Sequence, residues 1–83
     1  MNRTNKIKCY CCGFYTLEDN VVSDICSVCF WQKDIYQEEY IDDSVGPNIV
    51  PLRKAKENFQ KFGAIEKRFE NFVRPPLREE IDE

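Results

Sequence analysis

Four cysteines fall into two Cys-x-x-Cys pairs, Cys9 with Cys12 and Cys26 with Cys29, separated by thirteen residues. Two thiolates three positions apart meet at one ion only where the backbone curls tightly around it. The pairs therefore read as two metal knuckles that close one tetrahedral site. Gly13, directly after Cys12, fits such a turn because it takes a left-handed backbone without a Cβ penalty. Four thiolates in tetrahedral array suit a borderline-soft ion, so the expected cofactor is one structural Zn2+ per chain, with iron as the alternative. The linker is slightly shorter than the roughly 15 to 20 residues of the common template.

Cys11 is left over. It sits between two proposed ligands in Cys-Tyr-Cys-Cys-Gly, and a Cys-x-Cys pair curls less readily around an ion than Cys-x-x-Cys. Cys11 reads either as a small buried residue under the knuckle or as an extra thiol with a sensing role. A disulfide framework fits poorly with an odd cysteine count and a mostly polar start, Met-Asn-Arg-Thr-Asn-Lys, with no apolar signal segment. No apolar run approaches the roughly 18 residues of a membrane span, so the expectation is a soluble, cytoplasmic protein with no membrane partner.

The chain has no histidine. That removes the usual general acid and base and every Ser-His or Cys-His nucleophile, and a four-thiolate site leaves no open position where water is activated. The expectation is a protein that is not an enzyme, with no catalytic residues. Thioredoxin-like redox chemistry needs a strand-to-helix junction within a longer alternating pattern than this chain can hold.

Such a site needs elements to hold it. With 83 residues, a chain buries only about 60% of its unfolded surface, so a metal staple is physically expected. Residues 6–8 read as a short strand into the first knuckle. Phe14 to Leu17 reads as a β-prone exit, Asp19-Asn20 as a turn, and Val21 to Ile25 as a second strand back to Cys26. Phe30 and Trp31 follow the second knuckle and are placed to shield the sulfurs. Residues 32–50 form an acidic loop or short helix without a clear cap, with Ile35, Tyr36, Tyr40 and Ile41 able to share a helical face.

From Pro51 the spacing of Leu52, Ala55, Phe59 and Phe62 predicts a helix stopped by Gly63, its aromatic stripe buried. A second short helix is expected over 65–72, ended by Arg74-Pro75-Pro76. The fold class is α+β: a small zinc-ribbon or rubredoxin-like hairpin with two knuckles, packed by one or two C-terminal helices. The domain spans 1–76, with knuckles and hairpin at 7–31, the acidic loop at 32–50 and the helical part at 51–73. A frayed acidic tail follows at 77–83.

These residues carry a resemblance. Cys9 to Leu17, Ile25 to Trp31, Gly46-Pro47-Asn48, Ala55 to Phe59, Phe62-Gly63-Ala64 and Val73 to Pro76 together resemble the bacterial cysteine-rich CPCC family in order and spacing. The likeness covers roughly residues 7 to 77 and departs at Tyr10 and Ser27, where the family pattern has proline. Losing those prolines loosens the turns of the unfolded chain without removing a ligand. The resemblance implies a small zinc-ribbon-like protein. Through an association of some members with toxin genes, it also implies an immunity- or inhibitor-like role.

Charge is sorted along the chain. Residues 1–8 carry +3, residues 18–44 carry −7, residues 51–74 carry +4 and residues 77–83 carry −3, giving a net −3. Four thiolates on a divalent ion would take this to about −5. The simplest reading is a basic helix facing an acidic loop, or two solvated faces. Used as a binding surface, the acidic stretch offers Trp31, Tyr36, Glu38, Glu39, Tyr40, Asp42 and Asp43 to another, basic protein. The sequence thus predicts a zinc-binding protein-interaction module. Nucleic-acid binding by the basic helix over 51–74, or thiol or metal sensing at Cys11, are the alternatives.

Overall fold

The computed structural model describes residues 6–19, 21 and 23–81. Strand β1 (Lys6–Lys8) pairs antiparallel with β2 (Tyr15–Glu18) in a two-stranded sheet. Helix α1 spans Ile35–Glu39 and helix α2 Leu52–Phe62. Two single 3-10 turns follow, at Lys67–Phe69 and Arg78–Glu80. The α+β class holds, and the hairpin arches over the first knuckle.

The hairpin is not built as the sequence predicts. Tyr15–Glu18 pairs back with residues before the first cysteines rather than with the stretch leading to Cys26. Val21 and Ser23–Ile25 form no strand, and Ile25 makes only an isolated bridge to Gln32. Asn20 and Val22, which belong to the expected turn and strand, lie outside the described residues. Asp24 gives a physical reason for the difference. Its carboxylate accepts from the Glu18 N–H at 2.8 Å and from the Ile25 N–H at 2.9 Å, so side-chain bonds take the donors a ladder would use.

The register of β1 and β2 carries one irregularity. Lys6 faces Glu18 and Ile7 faces Leu17, but Lys8 faces Tyr15, so Thr16 is an extra residue. A bulge of this kind breaks the strict in-out alternation of a strand. Thr16 and Leu17 are consequently both buried.

The core gathers Leu17, Val28, Trp31, Leu52, Ala55 and Ile65 around Cys9, Cys26 and Cys29. Trp31 is 0% exposed. Its indole N–H donates to Glu38 Oε2 at 3.0 Å, which satisfies the one polar atom of that ring in the interior. Trp31 therefore belongs to the core and not to a partner surface. Glu38 is spent holding it.

The segment over 32–50 is a capped helix in a fixed loop. Asp34, overlooked as a cap, has an extended backbone and accepts from the Gln37 N–H at 3.0 Å. Of the expected apolar face, Ile35, Tyr36 and Tyr40 are exposed while Ile41 packs half-buried against the core, and the buried residue of α1 is Gln37. Gln37 Oε1 accepts from the Asn48 N–H and the Asn48 amide, and its Nε2 donates to the Asn48 carbonyl at 3.0 Å. Asn48 in turn brackets Gln32, accepting from its N–H and donating to its carbonyl. These two side chains replace a hydrophobic contact with a closed polar network.

Helix α2 begins one residue later than the proline suggests. Pro51 is its cap, with an extended backbone, and Gly63 closes it in the left-handed conformation. Its buried line is Leu52, Ala55 and Asn58, while Phe59 and Phe62 are half-buried. Asn58 is tolerated inside because its amide donates to the Ile65 carbonyl at 2.8 Å. The second helix expected over 65–72 shrinks to the turn at Lys67–Phe69, and Phe72 is 69% exposed. The chain instead docks as extended backbone, Arg74 N–H donating to the Ser27 carbonyl at 3.2 Å.

The tail is anchored through residue 81. Glu80 is 4% exposed and forms a bidentate pair with Arg74 at 2.9 and 2.8 Å. The same carboxylate accepts the Leu77 N–H at 2.8 Å. Buried charge is stable only when paired and hydrogen-bonded in this way. Residues 82 and 83 lie outside the described part.

Candidate metal centre

Each knuckle is made by the same two backbone bonds. In the first, Cys9 N–H donates to the Phe14 carbonyl and Gly13 N–H donates to the Cys9 carbonyl, both at 2.9 Å. In the second, Cys26 N–H donates to the Trp31 carbonyl and Phe30 N–H to the Cys26 carbonyl, again at 2.9 Å. The residue after the second cysteine is left-handed in both, Gly13 with φ 83° and Phe30 with φ 77°. Glycine marks this position in the first knuckle, and a phenylalanine gives no such signal in the second.

The two knuckles face each other. The sulfurs of Cys9, Cys12, Cys26 and Cys29 all lie within 4.8 Å of one another, with Cys9 to Cys29 and Cys12 to Cys26 each at 3.6 Å. Tetrahedral sulfurs bonded at about 2.3 Å to a central ion stand about 3.8 Å apart. The donor set thus fits a four-thiolate metal site in number, chemistry and spacing, and the structure brings together the four cysteines singled out by their spacing. None of the five cysteines is in a disulfide.

Cys9, Cys26 and Cys29 are fully buried, and Cys12 is partly open. Thr16, which sequence reasoning passed over, donates its hydroxyl to Cys26 Sγ at 2.9 Å, and the Val28 N–H points at the same sulfur at 3.4 Å. Only the bulge in β2 turns Thr16 inward, and no sequence motif announces it. Donors of this kind neutralise sulfur charge and fix ligand orientation.

Without an ion the four sulfurs compete for charge. Hydrogen bonds from Cys12, Cys29 and Cys9, with Thr16 added, hold the Cys26 thiol well below its usual range. Hydrogen bonding with Cys12 and then Cys26 pushes Cys9 up, Cys26 and Cys29 do the same to Cys12, and Cys11 leads in raising Cys29. Like charges this close do not coexist unless a cation joins them. A divalent ion held here would have to displace protons from this cluster, so its affinity would fall as pH falls.

Cys11 stays outside the four-sulfur set and is 8% exposed, packed in the core beside Cys9 and Cys29. The remaining predicted positions scatter. Tyr36 and Tyr40 are exposed at 42% and 52%, their rings 4.7 Å apart. The Tyr36 hydroxyl donates to Asp43, which also accepts the Val45 N–H, and Asp42 pairs with Arg53 at 2.6 Å. Glu39 is exposed. The acidic loop and the basic helix thus meet directly, as the simplest reading of the charge sorting expects.

Among the described residues no helix is long and apolar enough to cross a membrane. A family model described as Cysteine-rich CPCC matches residues 7–80. Neither a curated protein nor a solved structure matches the chain.

Proposed function

The chain belongs to the cysteine-rich CPCC family, and on that premise we propose that it is a small, non-enzymatic binding module stapled by one structural zinc ion. The four-sulfur cluster carries this reading. Four thiolates suit zinc among divalent ions, and a site filled by four protein ligands supplies charge and rigidity rather than a reacting position. When bound, the ion draws the two knuckles into one body. The residues' own tasks are to orient sulfur (Thr16, Val28), to exclude water (Leu17, Trp31) and to set the turns (Gly13, Phe30).

The surface left for recognition is the exposed Tyr36 and Tyr40 pair with Glu39, Asp42 and Asp43 around it. Its chemistry suits a basic protein and supports an immunity- or inhibitor-like role, because acidic faces speed encounter with cationic partners. Nucleic-acid binding through α2 is the weaker reading, since Arg53 and Lys54 already face Asp42 and Glu57.

Elemental analysis tests the metal half. One zinc per chain is expected, and a chelator should loosen the Trp31 environment. A chain that purifies metal-free and stays folded in chelator sinks it. For the partner half, Glu39→Lys with Tyr40→Ser should slow association with the partner recovered from the source cell and weaken its salt dependence. An unchanged rate, or recovery of nucleic acid alone, removes that half only.

A further inference from the structure

The four sulfurs are not equally protected. Cys9, Cys26 and Cys29 are fully buried, whereas Cys12 is partly open; the surface cleft beside it is lined by Lys8, Tyr10, Lys56, Glu57 and Gln60, with Cys9 and Cys11 in its floor but buried. Beside Gly13, which also lines the cleft, the space is open, since a Cβ built there would meet nothing within 4 Å. Lys8 and Lys56 have no carboxylate partner among the described residues, so two ammonium groups stand at this cleft beside Cys12. Thiolates react with oxidants according to charge and access. In a cluster where all four sulfurs are ionised by the same ion, access and hydrogen bonding separate them, and Cys26 is both buried and hydrogen-bonded by Thr16 and Val28.

We propose that Cys12 is an oxidation site of the centre, taking a hydroperoxide through this cleft, with Cys26 as the resolving sulfur. The proposal rests on the zinc reading above. The Cys12 sulfur attacks one peroxide oxygen; the S–O bond forms, the O–O bond breaks, and the second oxygen leaves as hydroxide or alkoxide. Lys8 and Lys56 lie where that negative charge emerges. Cys26 Sγ, 3.6 Å from Cys12 Sγ, then attacks the sulfenic sulfur; the S–S bond forms, the S–O bond breaks, and hydroxide leaves. The two electrons lost by the sulfurs are the two gained by the peroxide. Losing two of four donors ends tetrahedral binding and frees the knuckles from one another. Cys11 lines the same cleft, but it is only 8% exposed and lies outside the four-sulfur set, and it takes no part.

The test uses the zinc-loaded protein with its metal content measured first, hydrogen peroxide as oxidant, a chromophoric chelator to follow zinc release, and alkylation with mass mapping to identify the sulfurs. The first cross-link should join Cys12 to Cys26 and appear in step with zinc release, while Cys9, Cys11 and Cys29 remain alkylatable. Cys11→Ser should leave the rate unchanged. Gln60→Trp, which adds bulk to the exposed wall of the cleft, should slow release several-fold. A first disulfide that omits Cys12, dependence on Cys11, or full speed in Gln60→Trp overturns the proposal. Absence of zinc at the start instead overturns the metal reading, and the same mapping on the metal-free reduced chain still decides whether Cys12 is the first sulfur oxidised.

Discussion

Gly13 and Phe30 hold the same place in the two knuckles, each directly after the second cysteine of its pair and each left-handed. For a residue with a Cβ that conformation costs about 1 to 2 kcal/mol. At Phe30 it is offset by the ring, which stacks on Phe69 with centroids 4.3 Å apart. Phe30→Ala keeps the strain and loses the ring, whereas Phe30→Gly loses both. The glycine variant should therefore be the more stable of the two by about 1 kcal/mol in thermal or denaturant unfolding of the metal-loaded protein. The opposite order would show that backbone strain does not govern this knuckle.

Thr16→Val keeps the shape of the side chain and removes the hydroxyl that donates to Cys26 Sγ. Metal affinity should drop about tenfold in competition with a chelator while the fold is retained, the usual scale for losing a hydrogen bond to a ligand. Equal affinity would make that hydrogen bond incidental.

The Gln37 and Asn48 network is closed on every side, so breaking one member strands the other. Gln37→Leu leaves the Asn48 N–H and carbonyl without their partner inside the protein and should cost about 3 kcal/mol. A loss below about 0.5 kcal/mol, typical of surface positions, would mean that water enters and satisfies these groups.

Leu52 is 1% exposed and Phe59 is half-buried, although both lie on the apolar stripe of α2. Leu52→Ala should cost about 3 kcal/mol, near the middle of the range for buried leucine, and Phe59→Ala less than the 3 to 5 kcal/mol of a fully buried ring. Urea unfolding of the two variants gives the order directly.

The Arg74 guanidinium holds the Glu80 carboxyl below its ordinary 4.5. A group with a depressed folded pKa stabilises above its unfolded value and loses that contribution as pH falls through the folded one. Wild-type stability should thus fall more than that of Glu80→Gln as pH drops below about 4.5, the comparison cancelling the acid lability of the metal centre that both share. Parallel curves would show that the pair does not contribute.

The ligand set was legible in the sequence because local spacing encodes it: two thiolates three residues apart need only a turn, and a turn is a local object. Helix α2 and its Gly63 stop were legible for the same reason, as periodicity and caps act over neighbouring residues. The pairing of β2 with β1 could not be read, since Val21, Val22 and Ile25 make the later run the more β-prone by composition and the choice falls to Asp24, which takes the competing donors through its side chain. Nor could the side of Trp31 be read, because an aromatic between a knuckle and an acidic loop fits a core or a surface equally until Glu38 receives its N–H. Thr16 joined the site only through a bulge, and Phe30 stands in a glycine's conformation only because Phe69 comes from thirty-nine residues away to cover it. Residue types and short spacings determined which atoms come together as a set able to hold a metal ion. Which side chains support those atoms, and which sulfur is left open, followed from packing between segments distant in the chain.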